Sequence, residues 1–113
     1  MALVKVAEAS DLAPGSMNRY SLSGNEILLA NVGGSYFAIA GKCTHAGADL
    51  SMGKLDGGIV TCPRHGSRFD MRTGKALSGP KIGFLKLKTS DAKTYEVKVM
   101  GNDVMVELPD PSL

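Results

Sequence analysis

At 113 residues and a formal net charge of +2, the chain has the length of one domain and too small a basic excess to argue for nucleic acid. Hydrophobic residues make up 43% and charged residues 21%, a globular composition that excludes intrinsic disorder. Two cysteines are too few for a secreted disulfide scaffold.

Taken in chain order, the elements read as short strands and turns, as the 14 glycines suggest. The N-terminus carries Lys5 and Glu8 where a signal peptide needs an unbroken apolar run, and Leu3-Val4-Lys5-Val6 is a strand signal. Ala13-Pro14-Gly15 and Ser23-Gly24-Asn25 are turns flanking Arg19-Tyr20-Ser21-Leu22. Glu26 to Val32 and Tyr36 to Ile39 are strands, with Gly33-Gly34 between them as a tight hairpin turn. The charge-free run from Ile27 to Gly41 is shorter than the roughly 18 residues of a spanning helix, so no membrane association is expected and the location is expected to be cytoplasmic. Beta signals persist at Ile59-Val60-Thr61 and Arg68-Phe69-Asp70, and Phe84 to Lys88 alternates apolar and basic residues. Tyr95 to Val99 alternates too, which predicts one strand with Tyr95, Val97 and Val99 on a shared buried face. Gly101-Asn102 turns into Val104 to Leu108, and Pro109 and Pro111 end regular structure. The fold class is all-β, small antiparallel sheets packed as a sandwich or barrel, with residues 1–113 as a single domain. Residues 41–80, rich in Gly, His, Cys and Arg, read as an insert between basal parts 1–40 and 81–113.

Two boxes in that insert hold every Cys and every His: Cys43-Thr44-His45 and Cys62-Pro63-Arg64-His65. In extended chain, residues i and i+2 share a side, so Cys43 and His45 can face one centre. Pro63 and Gly66 give the second box the bend that its wider offset requires. Two thiolates and two imidazoles suit a structural zinc. Zinc fingers usually pair Cys with Cys and His with His, whereas each box here is mixed. A mixed box suits a two-iron cluster in which one iron takes both thiolates and the other both imidazoles, the Rieske arrangement.

Cys-x-His and Cys-x-x-His, continued by Gly66-Ser67, Phe69-Asp70, Gly74 and Gly79-Pro80, with Ala46 to Leu50 after the first box, resemble the Rieske [2Fe-2S] ferredoxin family. The resemblance implies one [2Fe-2S] cluster held by Cys43, His45, Cys62 and His65, with the Ser67 hydroxyl donating to a bridging sulfide. Ala48 and Arg64 stand where quinol-oxidising members have a further Cys pair, and Phe69 stands where high-potential members have Tyr. The potential is therefore expected in the lower half of the roughly −150 to +300 mV Rieske range. The chain is similar to soluble ferredoxins of aromatic-ring oxygenases, which implies an electron carrier that is not itself an enzyme. A flavin-dependent reductase upstream and a terminal oxygenase or reductase downstream are the implied partners. The small Rieske subunit of assimilatory nitrite reductases is the alternative, and a zinc-stabilised structural domain a more distant one. Lys42, Lys54, Arg64, Arg68, Arg72 and Lys75 outnumber Asp49, Asp56 and Asp70 in the insert and form a candidate basic rim.

Overall fold

Ile27-Leu28-Leu29-Ala30 is a strand sequence without polar alternation, which fits a strand covered on both faces. The computed structural model of the protein places it so, and describes residues 2–22, 24–42, 49–63, 66–78, 81–82, 85–86 and 91–108. The first half supplies β1 (Ala2–Glu8), β2 (Met17–Leu22), β3 (Asn25–Val32) and β4 (Ser35–Ala40). The insert supplies β5 (Lys54–Asp56), β6 (Ile59–Thr61), β7 (Arg68–Asp70) and β8 (Ala76–Ser78). There follow β9 (Lys81–Ile82), β10 (Leu85–Lys86), β11 (Thr94–Tyr95), β12 (Val97–Met100) and β13 (Asp103–Leu108). The described strands pair antiparallel throughout, as the all-β expectation requires.

The central sheet has the order β11-β4-β3-β2. Gly33 and Gly34, at φ 62° and 98°, join β3 to β4 across the pair Val32 and Ser35. Both angles lie in the left-handed region, where glycine alone is unstrained, so this Gly-Gly pair fixes the register of the hairpin. One face of the sheet presents Leu28, Ala30 and Ile39 to the insert sheet β5-β6-β7-β8, packing with Leu50, Val60, Cys62, Phe69 and Met71. The other presents Ile27, Leu29 and Ala38 to the sheet β1-β13-β12, packing with Val104, Val106 and Leu108. Asn31, only 3% exposed, sits at the hairpin end. Its Nδ2 donates to the Leu12 carbonyl and its Oδ1 accepts from Gly34 N–H, each at 2.8 Å.

The structure corrects the expectation of one strand from Tyr95 to Val99. Thr94 and Tyr95 pair with Ile39 and Ala38 in the central sheet, while Val97 to Met100 pair with Val106 to Asp103 in the outer sheet. The chain changes sheets at Glu96, so alternation that reads as one strand serves two surfaces. Val99 lies on the edge strand β12 close to the Gly101 turn and is 48% exposed rather than buried. Within Phe84 to Lys88, only Leu85 and Lys86 fall in the described residues, as β10.

Candidate metal centre

The second ligand box begins where the hairpin of β6 and β7 ends its pairing. Thr61 and Arg68 are the last pair of β6 and β7 before residues 62–67. Cys62 N–H donates to the Ser67 carbonyl at 2.7 Å, and Gly66 N–H donates to the Cys62 carbonyl at 3.2 Å. Gly66, at φ 76°, supplies the left-handed turn that this closure needs. Pro63 stiffens the way out of Cys62, because its ring fixes φ.

The neck of the first box forms at the same end of the insert sheet. Lys42 bridges Asp49 antiparallel, and Leu50 N–H donates to the Gly41 carbonyl at 2.9 Å. Asp49 caps the 3-10 turn Leu50–Met52, its Oδ1 accepting from Ser51 N–H at 2.9 Å and from Ser51 Oγ at 2.6 Å. Leu50 is fully buried in the core that also holds Cys62. A Cβ on Gly53 would collide with the Thr61 carbonyl, so a glycine lets this turn lie directly against the strand that leads into Cys62. Lys54 then pairs with Thr61. The topology thereby brings the necks of both boxes together.

Of the expected ligands, Cys62 lies among the described residues; Cys43, His45 and His65 lie outside them, as do Arg64 and the Gly79-Pro80 turn. Among the described residues no three His, Cys, Asp or Glu side chains converge on a point. Cys62 is 2% exposed. Ser67, two residues beyond His65 in sequence, is fully buried, and its Oγ has no hydrogen-bond partner among the described residues. A buried hydroxyl left without a partner costs about 1–3 kcal/mol, so it calls for an acceptor. A sulfur acceptor beside Cys62 answers that need, and these residues fit an iron–sulfur cluster. Phe69, fully buried, walls the site with apolar surface, and Val60 and Met71 back it. Asp70 makes an Asx-type turn: its Oδ1 accepts from Arg72 N–H at 2.9 Å and its carbonyl from Gly74 N–H at 2.7 Å.

Lys42, Lys54, Arg68, Arg72 and Lys75 are exposed. Arg72 lies over the Phe37 ring at 5.9 Å, at the seam with the central sheet rather than beside the ligand boxes. Beside Cys62 a surface pocket of about 370 Å³ is lined by Met52, Lys54, Thr61 and Pro63 among others. Met52 is 74% exposed at its lip. The scattered methionines read as packing residues in the sequence, and Met52 departs from that expectation; the capping role of Asp49 is likewise new. The Asp-x-Ser spacing of Asp49 and Ser51 is a local signal for the cap; nothing local marks Met52 as exposed.

Replacing the Ser67 hydroxyl should move the redox potential without unfolding the loop, because both closing hydrogen bonds are made by backbone. Ser67→Ala is expected to lower the midpoint potential, since a donated hydrogen bond favours the more negative reduced state. Voltammetry checks this; an unchanged or higher potential would show that the hydroxyl does not face the cluster.

The sequence profile of the Rieske [2Fe-2S] domain matches residues 2–90. The ferredoxin component of biphenyl 2,3-dioxygenase from Rhodococcus jostii (strain RHA1) is 42% identical over 108 residues, covering 96% of this chain and 94% of that protein. The ferredoxin component of the naphthalene 1,2-dioxygenase system of Pseudomonas putida is 36% identical over 105 residues, covering 93% and 94%. Among solved structures, a complex of reduced oxygenase and oxidized ferredoxin in carbazole 1,9a-dioxygenase contains a chain that superposes with a TM-score of 0.81 at 35% identity, covering 92% of this chain and 91% of that one. No helix among the described residues is long and apolar enough to cross a membrane. A mixed Cys/His pair of boxes, a buried hydroxyl beside Cys62 and a profile match along most of the chain have one common explanation: the chain belongs to the Rieske [2Fe-2S] family, and its cofactor is one Rieske-type [2Fe-2S] cluster.

Proposed function

We propose that the protein is a cytoplasmic one-electron carrier that receives electrons from a flavin-dependent reductase and delivers them to a terminal oxygenase. Residues 1–113 form one domain in this reading, with the insert 41–80 carrying the cluster on the basal parts 1–40 and 81–113. Cys43 and Cys62 would hold one iron and His45 and His65 the other, and the Ser67 hydroxyl would donate to a sulfide. The observation that carries the reading is the fully buried Ser67 hydroxyl, with no partner among the described residues, in the same hairpin loop as Cys62. The relatives named as ferredoxin components of dioxygenase systems, similar along nearly their whole length, support it.

When bound, the cluster supplies a one-electron couple. The chain's own residues do the rest. Phe69 and Leu50 exclude water from behind the loops. Lys54 and Arg68, exposed on strands that flank Cys62, attract an acidic partner face. Met52 and the pocket beside Cys62 offer that partner an apolar foothold.

The test is transfer itself. The holoprotein, reduced by NADH through the flavin reductase of the same organism, should be reoxidised by that organism's terminal oxygenase component. Absence of reoxidation by the oxygenase would overturn the assignment. Reversing charge in Lys54→Glu/Arg68→Glu should slow this step about tenfold at low ionic strength and much less at high salt, because exposed charges are screened over roughly 10 Å at 0.1 M. Equal rates at low salt would place docking elsewhere on the molecule.

A further inference from the structure

Arg19 lies on β2, an edge strand of the central sheet, far in sequence from both ligand boxes. Its guanidinium nevertheless reaches the neck of the first one. Nη1 is 3.1 Å from Asp49 Oδ2, and Nε is 3.5 Å from Glu26 Oε2. Asp49 divides its carboxylate: Oδ1 is committed to the Ser51 cap, and Oδ2 faces Arg19. Glu26 Oε2 is buried and accepts no hydrogen bond among the described residues, so Arg19 is the cation that answers its charge. The backbone is laced at the same point. Gly41 N–H donates to the Glu26 carbonyl at 2.9 Å, and the Gly41 carbonyl accepts from Leu50 N–H. A Cβ on Gly41 would meet Arg19 Cγ at 3.4 Å. Arg19 thus sits where β2, β3 and both sides of the neck meet, and it balances two carboxylates there.

We propose that Arg19 is a positioning residue of the redox centre: acting through Asp49 and Glu26, it holds the neck of the loop bearing Cys43 and His45 and offsets the negative charge that would otherwise disfavour reduction. The proposal rests on the ligand assignment of the preceding section. Its sign follows from charge. Reduction adds one negative charge at the centre, so removing the Arg19 cation lowers the potential, and removing the Asp49 anion raises it. Both ion pairs are partly exposed, with side-chain exposures of 40% for Arg19 and 28% for Asp49, so solvent screening keeps the effect modest. A change of about threefold in the redox equilibrium constant is expected for Arg19→Ala, a fall of about 28 mV for one electron.

Voltammetry of the holoprotein at low and high salt tests this, with iron content and the electron paramagnetic resonance of the reduced state read alongside. Arg19→Ala should fall in potential, Arg19→Lys should stay near wild type, and Asp49→Asn should rise. Asn keeps an acceptor for Ser51, so the cap survives in that variant. All three should retain iron and a Rieske spectrum, and the shifts should shrink in high salt. A merely structural role would move Arg19→Ala and Asp49→Asn in the same direction, or strip iron from both, and either result overturns the proposal. Failure of the ligand assignment shows itself differently: the wild-type protein would lack the Rieske spectrum, and both readings would fall together.

Discussion

Cys62→Ser is expected to yield a colourless protein with close to no bound iron. A serine oxygen is a hard ligand that stays protonated near neutrality, whereas the cluster irons take soft thiolates. The damage should extend beyond the metal. Cys62 is buried in one core with Leu50, Val60 and Phe69, and the buried Ser67 hydroxyl in the same loop has no acceptor among the described residues. Cofactor binding and local folding are therefore coupled. Hydrogen exchange should report fast amides around 49–70 and retained protection in β3 and β4, whose pairing with each other involves none of the ligands. A Cys62→Ser protein with full iron and the parent's visible spectrum would refute the ligand assignment.

The second large effect concerns the seam between the insert and the rest of the chain. Gly74 has φ 73°, and a Cβ there would run into the carbonyl oxygen of Ala92. The close approach has a purpose: Ala92 N–H donates to the Gly74 carbonyl at 2.7 Å, and Ala76 N–H donates to Asp91 Oδ1 at 2.8 Å. Gly74→Ala imposes a left-handed backbone cost of about 1–2 kcal/mol. It also forces the two segments apart, at about 1–3 kcal/mol for the buried hydrogen bond lost. The total of roughly 3 kcal/mol corresponds to a melting temperature lower by roughly 10–20 °C. Gly101→Ala is the control. It shares the positive φ, at 63°, but has no atom within 4 Å of the added methyl, so about 1–2 kcal/mol is expected. Equal losses in urea titrations of the two variants would mean that the seam contributes nothing.

How much of this was readable in advance depended on whether the signal was local. Glu26 to Val32 announces a strand and Gly33-Gly34 its hairpin turn, and both are found; that the strand is covered on both sides is seen in the structure. The Cys/His boxes carry the family resemblance together with Gly66-Ser67, Phe69-Asp70 and the glycines that follow, and Ser67 belongs to what that resemblance implies. Of the insert's short strands, Ile59 to Thr61 and Arg68 to Asp70 are legible in the sequence and are found with those bounds; the first one is not. Lys54-Leu55-Asp56 offers one apolar residue between two charges, which is too little for periodicity, and it becomes a strand only because Thr61 pairs with Lys54. Tyr95 to Val99 misled for the opposite reason. Its alternation is real, but no side-chain pattern marks the place where the backbone changes hydrogen-bonding partners. The pairing of Arg19 with Asp49 spans the whole first hairpin and leaves no trace in either residue's neighbourhood.

Ile27 and Leu28 are adjacent in the chain yet belong to different hydrophobic clusters, one on each side of a sheet a single residue thick. That sheet acts as a partition. Among the described residues, a cavity opened on one side has no side-chain neighbours shared between the two clusters through which to propagate to the other, so losses from substitutions in the two compartments should sum. The partition also separates two kinds of inheritance. Changes around Val104 and Val106 can trade stability up or down while the redox end stays as it is, and the residues around Phe69 can be retuned for a new partner against an unaltered reserve of stability behind the sheet.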